Sequence, residues 1–254
     1  MNIYNSESKF LASKLYLSFL IKGLTMDLKI LEKTENKELR REAREALTGK
    51  WGLAVGTLII FFIITAGVGF IRPEIVGSVI SLLISGAMSV GLCYFSLAIS
   101  RSDNPKLQLI FYGFKKFGTS LGVYLLMLIF ILLWALIGIV PGVIGIILLR
   151  NPSLLFAGQI VIVISFIGLI PAIIAAYAYS QSYFIIADNN IGPFKAICRS
   201  ITIMKGNKWK FFWLNLSFIW WAILSVITLC IGFLWLVPYM VVTMAKFYDD
   251  IKDR

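Results

Sequence analysis

Five stretches of this chain carry no Asp, Glu, Lys or Arg and are too long for the interior of a water-soluble domain: residues 51–71, 75–100, 119–149, 154–187 and 211–245. A helix of about 20 apolar residues, rising about 1.5 Å per residue, crosses a hydrocarbon layer of about 30 Å. The first two stretches are therefore one span each. Residues 211–248 would form a single helix about 57 Å long, nearly two membrane thicknesses. They read instead as a hairpin that reverses near Leu229-Cys230-Ile231-Gly232. Six spans result, at 51–71, 75–99, 119–141, 156–186, 211–229 and 232–248. The expected fold is an all-α polytopic membrane bundle of three hairpins.

Composition agrees. The chain is 59% hydrophobic and 15% charged, with a mean hydropathy of +0.87, against roughly 45–50% apolar and 25% charged for soluble proteins. Disorder and a water-soluble globule are excluded on that ground. The net charge is +11, from 24 Lys and Arg against 13 Asp and Glu. Six spans put 22 of those 24 on one side, in the N-terminus, the 100–118 and 187–210 loops and the C-terminus; Arg72 and Arg150 fall opposite. Cytoplasmic loops are the ones enriched in Lys and Arg. Both termini are thus expected in the cytoplasm, and the chain in the bacterial cytoplasmic membrane. The charge is a topology signal, and no nucleic-acid partner is expected.

The basic segments share an organisation. Pro105 and Gly118 lie thirteen positions apart, as do Pro193 and Gly206, and Asn36 and Gly49. Proline or asparagine suits a helix start and glycine its C-terminal end. Leu107, Ile110, Phe111 and Phe114 recur at the spacing of one helix face, as do Phe194, Ile197, Cys198 and Ile201. Trp51, Phe117 and Trp209 follow close behind. Each hairpin is accordingly expected to follow a basic interfacial helix. Such helices lie among lipid headgroups, with cations toward anionic lipid; the alternative is a connecting helix packed on the bundle. The candidate lipid contacts are Lys115, Lys116, Lys195, Arg199, Lys205, Lys208 and Lys210. The first copy, diluted by Glu38, Glu42 and Glu45, reads as a solvated helix.

Domain boundaries follow: a cytoplasmic basic helix at 26–50, the six-span region at 51–248 and a cytoplasmic tail at 249–254. Residues 1–25 read as a mis-assigned extension, with Met26 the expected initiator and Met1 the other candidate. The apolar patch at 15–21 is too short to span, and Lys22-Gly23 suits a purine-rich ribosome-binding sequence.

Within the spans, Ser78, Ser81, Ser85, Ser89, Cys93, Ser96 and Ser100 fall on one helix face. Small residues of this kind allow close helix packing; the other reading is a polar path for a solute, with Ser78, Ser81, Ser85 and Ser89 its core. Asn215 is expected to bond across helices, the alternative being a ligand contact as part of the same polar path. Asp188 is expected to pair with a rim cation or to cap the helix begun at Pro193. Gly52 and Gly56 read as a helix contact, and Gly138 to Gly142, with Pro141 inside, as a span end or kink. Pro171 and Pro238 are expected to kink their helices. Cys93, Cys198 and Cys230 share no metal-ligand spacing and read as small buried hydrophobes.

Several absences bear on function. The chain has no histidine, and no ionisable residue lies at the centre of a span, where ion-coupled transport places one. No phosphate-binding loop or HExxH motif occurs. No catalytic residue, cofactor or metal is expected, and the protein is read as non-enzymatic. The leading expectation is a lipid-associated or scaffolding membrane protein, holding anionic headgroups, a membrane-protein partner or a second copy of itself. The alternatives are a facilitative carrier or channel for a small solute and, further off, an intramembrane lipid-modifying enzyme.

Three stretches carry a family resemblance: REAREALTGKW at 41–51, ITIMKGNKW at 201–209 and WAILSVITLCIGFLWLVPYMVVTMAKFY at 221–248. Through them the chain resembles domain-of-unknown-function family 975, integral membrane proteins found mostly in Gram-positive bacteria. The likeness covers roughly residues 36–250 and implies a membrane protein, with no activity or site residues to carry over. A more distant likeness runs to the membrane portion of some glycerophosphodiester phosphodiesterases, whose soluble hydrolase domain has no counterpart here.

Overall fold

A computed structural model describes residues 34–68 and 73–252, and the described chain is all-α. Residues 1–25 and Arg72 lie outside the described residues. In chain order the helices are α1 (Asn36–Leu47), α2 (Trp51–Gly67), α3 (Glu74–Ser100), the single turn α4 (Tyr112–Lys115), α5 (Phe117–Leu148), α6 (Leu155–Gly168), α7 (Ile170–Tyr179), α8 (Ser182–Asp188), α9 (Pro193–Met204), α10 (Lys208–Leu216), α11 (Ile219–Ile227) and α12 (Phe233–Ile251).

Among the described residues four helical stretches are long and apolar enough to cross a membrane: Ile75–Ser100, Phe117–Leu148, Pro152–Asp188 and Lys208–Ile227. A fifth is added if α1 and α2, bent by 94° at their junction, are taken as one span. The remaining two expected spans are marginal for visible reasons. Helix α2 has 17 residues, and α12 carries Lys246, Asp249 and Asp250 in its last turns. Helix α12 also runs on to Ile251, so residues 249–251 are helical.

The α11–α12 reversal falls where expected. Leu229 and Cys230 both adopt left-handed backbone, at φ 51° and 68°. Gly232 then lets α12 pass close to α11, since a Cβ there would lie 2.6 Å from Ser225 Oγ. Helix α5 departs from expectation. It continues unbroken through Pro141 for 32 residues, so Gly138 does not end a span. A Cβ on Gly138 would approach Ser165 O to 2.7 Å, and one on Gly168 would approach Ile137 O to 2.8 Å. These glycines let α5 and α6 pack backbone to backbone. Among the described residues nothing lies within 4 Å of a Cβ at Gly52 or Gly56, where a helix contact is expected. Pro171 coincides with the break between α6 and α7, whereas α12 continues through Pro238.

The three basic modules diverge. The third is a helix with Pro193 in its first turn and Gly206 beyond its end at φ +79°. The first is also a helix, with Gly49 at φ +75°. Glu35 occupies its N-cap position, however, and the Asn36 amide donates to the carbonyl of Lys210 at 3.0 Å. Nor is this helix merely solvated, because Leu39, Ala43 and Leu47 are buried against neighbouring helices. The second module is not one helix. A 3-10 turn at Leu107–Phe111 is followed by α4, and Gly118 belongs to α5. The cause is a close crossing with α3: a Cβ on Gly113 would overlap the carbonyl of Ala87, and one on Gly91 that of Ile110. Tyr94 and Tyr112 stack beside it, with centroids 3.9 Å apart.

Helix breaks expose backbone groups that something must satisfy. At the α7–α8 break, Ser200 Oγ of α9 donates to Ala178 O (2.7 Å) and accepts from Gln181 N–H (3.2 Å). Ser200 is buried and ties α9 to the break.

Candidate functional site

Charged side chains from distant parts of the sequence meet at one end of the bundle. Arg101, just past α3, reaches Asp188 at the end of α8 (2.5 Å) and Asp249 on α12 (2.7 Å). Lys252 adds contacts to Asp249 (3.0 Å) and Asp188 (3.4 Å), and Tyr248 donates its hydroxyl to Asp188 (3.2 Å). The hydrogen bond to Asp188 is the chief cause that raises the Arg101 pKa above its usual value. Of the two roles expected for Asp188, rim pairing is the one observed, since Gly192 occupies the N-cap of α9. A second pair, Lys210 with Asp250 (2.6 Å), is nearly buried, and Thr34 donates its hydroxyl to the same carboxylate (2.7 Å).

These pairs divide the expected lipid-contact residues. Lys210 is held by Asp250 and lies over the Phe247 ring. Lys116 donates to the carbonyls of Ile186 and Asn189 (3.4 and 3.3 Å), closing the end of α8, where a cation suits the helix dipole. Both make internal ties. Lys115, Lys195, Arg199 and Lys205 are exposed, and Lys208 is half-buried. Large apolar side chains are exposed beside them. On α9 these are Phe194 (61% exposed) and Ile201, with the Cys198 thiol between; Trp209 (67%) follows at the start of α10. Phe111, Phe114 and Phe117 form a second exposed row next to Lys115, with successive centroids 6.3 and 6.4 Å apart. The inward face of α9 is Ala196, Ile197, Ser200, Ile203 and Met204. The apolar face expected for this helix therefore splits, Ile197 turning in while Phe194, Cys198 and Ile201 turn out.

The serines of the candidate polar path lie along α3. Ser78 is exposed, and Ser81, Ser85 and Ser89 are half-buried. The Ser85 hydroxyl donates to Ser81 O (2.6 Å), and that of Ser96 to Cys93 O (2.9 Å). Asn215 likewise donates to Phe211 O of its own helix (2.9 Å), in place of the interhelical bond expected. All three cysteines are free; Cys93 is buried as expected, but Cys198 and Cys230 are exposed. Among the described residues no group of three or more Cys, Asp or Glu could hold a metal ion.

A separate concavity lies elsewhere. A cleft of about 660 Å³ opens between α1, α11 and α12. Lys37, Arg40 and Arg44 supply its basic end, and Trp51, Trp221, Leu224, Trp235 and Leu236 most of its apolar wall. The three cations are spaced three and four apart, hence on one face of α1. Tyr239 also lines the cleft and donates its hydroxyl to Arg40 O (3.3 Å), pinning α1 to α12. Sequence reasoning missed this site because the carboxylates of the same helix dilute its charge. The signal was the spacing of the cations, read together with tryptophans remote in sequence.

The chain was compared with known proteins. A family model described as "Protein of unknown function (DUF975)" matches residues 26–254. No curated protein and no solved structure matches. The match spans most of the chain, and the chain belongs to that family.

Proposed function

We propose that this member of the DUF975 family is a non-enzymatic, six-span protein of the bacterial cytoplasmic membrane that gathers anionic lipid around its cytoplasmic end, in a lipid-associated or scaffolding role. The observation that carries this reading is the outer face of α9 and its continuation. Phe194, Cys198, Ile201 and Trp209 stand exposed among Lys195, Arg199 and Lys205. Water disfavours such an apolar surface, and a headgroup layer accepts both halves of it. The six-span topology draws support from the rim. The segments expected in the cytoplasm, before α1, after α3, between α8 and α10 and at the end of α12, are joined to one another by hydrogen bonds and ion pairs.

The reading is tested with the full chain reconstituted in mixed phosphatidylglycerol and phosphatidylcholine, using spin-labelled forms of each lipid. An excess of motionally restricted phosphatidylglycerol is expected in low salt. It should shrink in 0.5 M salt, roughly a Debye length of 4 Å, and in the K195Q/R199Q/K205Q variant. Equal restriction of the two lipids at low salt overturns the reading. Solute flux through the same vesicles would favour the carrier alternative.

A further inference from the structure

We infer that the cleft between α1, α11 and α12 is a selective site for one anionic phospholipid, whose phosphate sits among Lys37, Arg40 and Arg44 and whose acyl chains lie along Trp221, Leu224 and Trp235. The inference rests on the membrane reading above and names a specific ligand class where that reading names only a surface preference.

Three observations converge on it. First, α1 sorts its charges. Glu38 and Glu45 pair with Arg41, and Glu42 pairs with Lys246. The carboxylates are thereby engaged away from the cleft, while Lys37, Arg40 and Arg44 form no ion pair among the described residues. Three cations converging on one space, without a compensating carboxylate, are complementary to an anion carrying more than one acceptor oxygen. Second, most of the remaining wall is apolar. Ser225 and Thr228 line it, but their hydroxyls donate to Trp221 O (2.7 Å) and Ser225 O (3.0 Å). A free phosphate would leave this apolar wall uncovered, and an uncharged lipid would leave the cations unmatched. Third, the size fits a lipid entering from the side. The cleft, at about 660 Å³, holds a glycerophosphate and the first part of its chains. Trp221, Leu224 and Trp235, each about half exposed, continue outward to receive the remainder.

The Trp51 ring, at the start of α2, is part of the same wall. Amphipathic rings of this type sit at headgroup depth, which matches a phosphate held beside it.

Native mass spectrometry of the full chain, purified in a neutral detergent and supplied with dioleoyl phosphatidylglycerol or phosphatidylcholine, tests the site. One retained phosphatidylglycerol per chain is expected, in preference to phosphatidylcholine. A basic residue beside an anionic headgroup contributes about fivefold, so R40Q/R44Q should lower the preference by about 25-fold. The filling variant L224W should reduce retention of both lipids and leave the melting temperature within a few degrees of wild type. Equal retention of the two lipids by the wild type, or an unchanged preference in R40Q/R44Q, overturns the site. If phosphatidylglycerol is selectively retained while the spin-label excess is absent, the surface role fails and the cleft stands. A spin-label excess without selective retention is the opposite result, and the cleft fails.

Discussion

The α5–α6 hairpin and the charged rim hold together by opposite means. The hairpin turns nearly all its large side chains outward: Leu132, Leu133, Ile146, Ile147, Val163, Phe166 and Ile167 are exposed. In a bilayer those residues gain little by packing on each other, because the lipid is equally apolar. What remains is close backbone approach at Gly138, Gly145, Gly158 and Gly168, where many small dispersion contacts add up. At the rim the chain is joined by a few strong, directional links between residues far apart in sequence. The hairpin should therefore fail by steric intrusion and the rim by loss of a charge.

Gly168→Leu is the largest expected break. The atoms nearest its new Cβ are backbone, Ile137 O at 2.8 Å and Gly138 Cα at 2.9 Å, so no side chain can yield. A loss of about 3 kcal/mol should appear as a large fall in melting temperature in detergent, while Gly52→Leu, facing open space, should change little. A tolerated Gly168→Leu would remove the steric account of the hairpin. Next comes Arg101→Ala, which leaves Asp188 and Asp249 without their shared guanidinium. The side chains are 18–32% exposed, which places the cost below that of a fully buried pair, at about 2 kcal/mol. Arg101→Lys should recover only part, since an ammonium lacks the planar set of nitrogens with which the guanidinium donates to each carboxylate separately. Equal stability of both variants and wild type would reduce the rim to decoration.

A smaller effect separates tie from lipid contact. Lys116→Gln should lower stability by about 1 kcal/mol and leave the excess of spin-labelled phosphatidylglycerol unchanged. If the lipid signal falls and stability does not, Lys116 belongs to the surface set after all. The smallest change runs the other way. Leu229→Gly relieves a left-handed backbone in a residue with a side chain, and should raise stability by up to about 1 kcal/mol. Thermal unfolding measures it directly.

The same contrast explains what the sequence disclosed. The long apolar helices, the turn at Leu229 and Cys230, and the helices after Asn36 and Pro193 follow from local pattern, because hydropathy and turn preferences act over a few residues. Partners do not follow. Gly52 and Gly138 look alike in the sequence, yet among the described residues only the second has a helix against it. Lys116 and Lys210 read as lipid-facing because Asn189 and Asp250 lie 73 and 40 residues away. Pro105 to Gly118 matches the spacing of a helix, but the crossing at Gly113 overrides it. The cleft was hidden for the same reason, with its cations at 37–44 and most of its wall beyond residue 220.

The rim also has a direction in time. Arg101 waits for Asp249, made 148 residues later, and the ties of Thr34 and Asn36 run to Asp250 and to the carbonyl of Lys210. A chain that folds as it is made would insert its earlier hairpins while Arg101 holds at most its link to Asp188. The last turn of α12 is thus the latch of the assembly. A protein interrupted before Asp249 would keep most of its apolar helices and present to the cell's quality-control machinery an end still short of its negative charges.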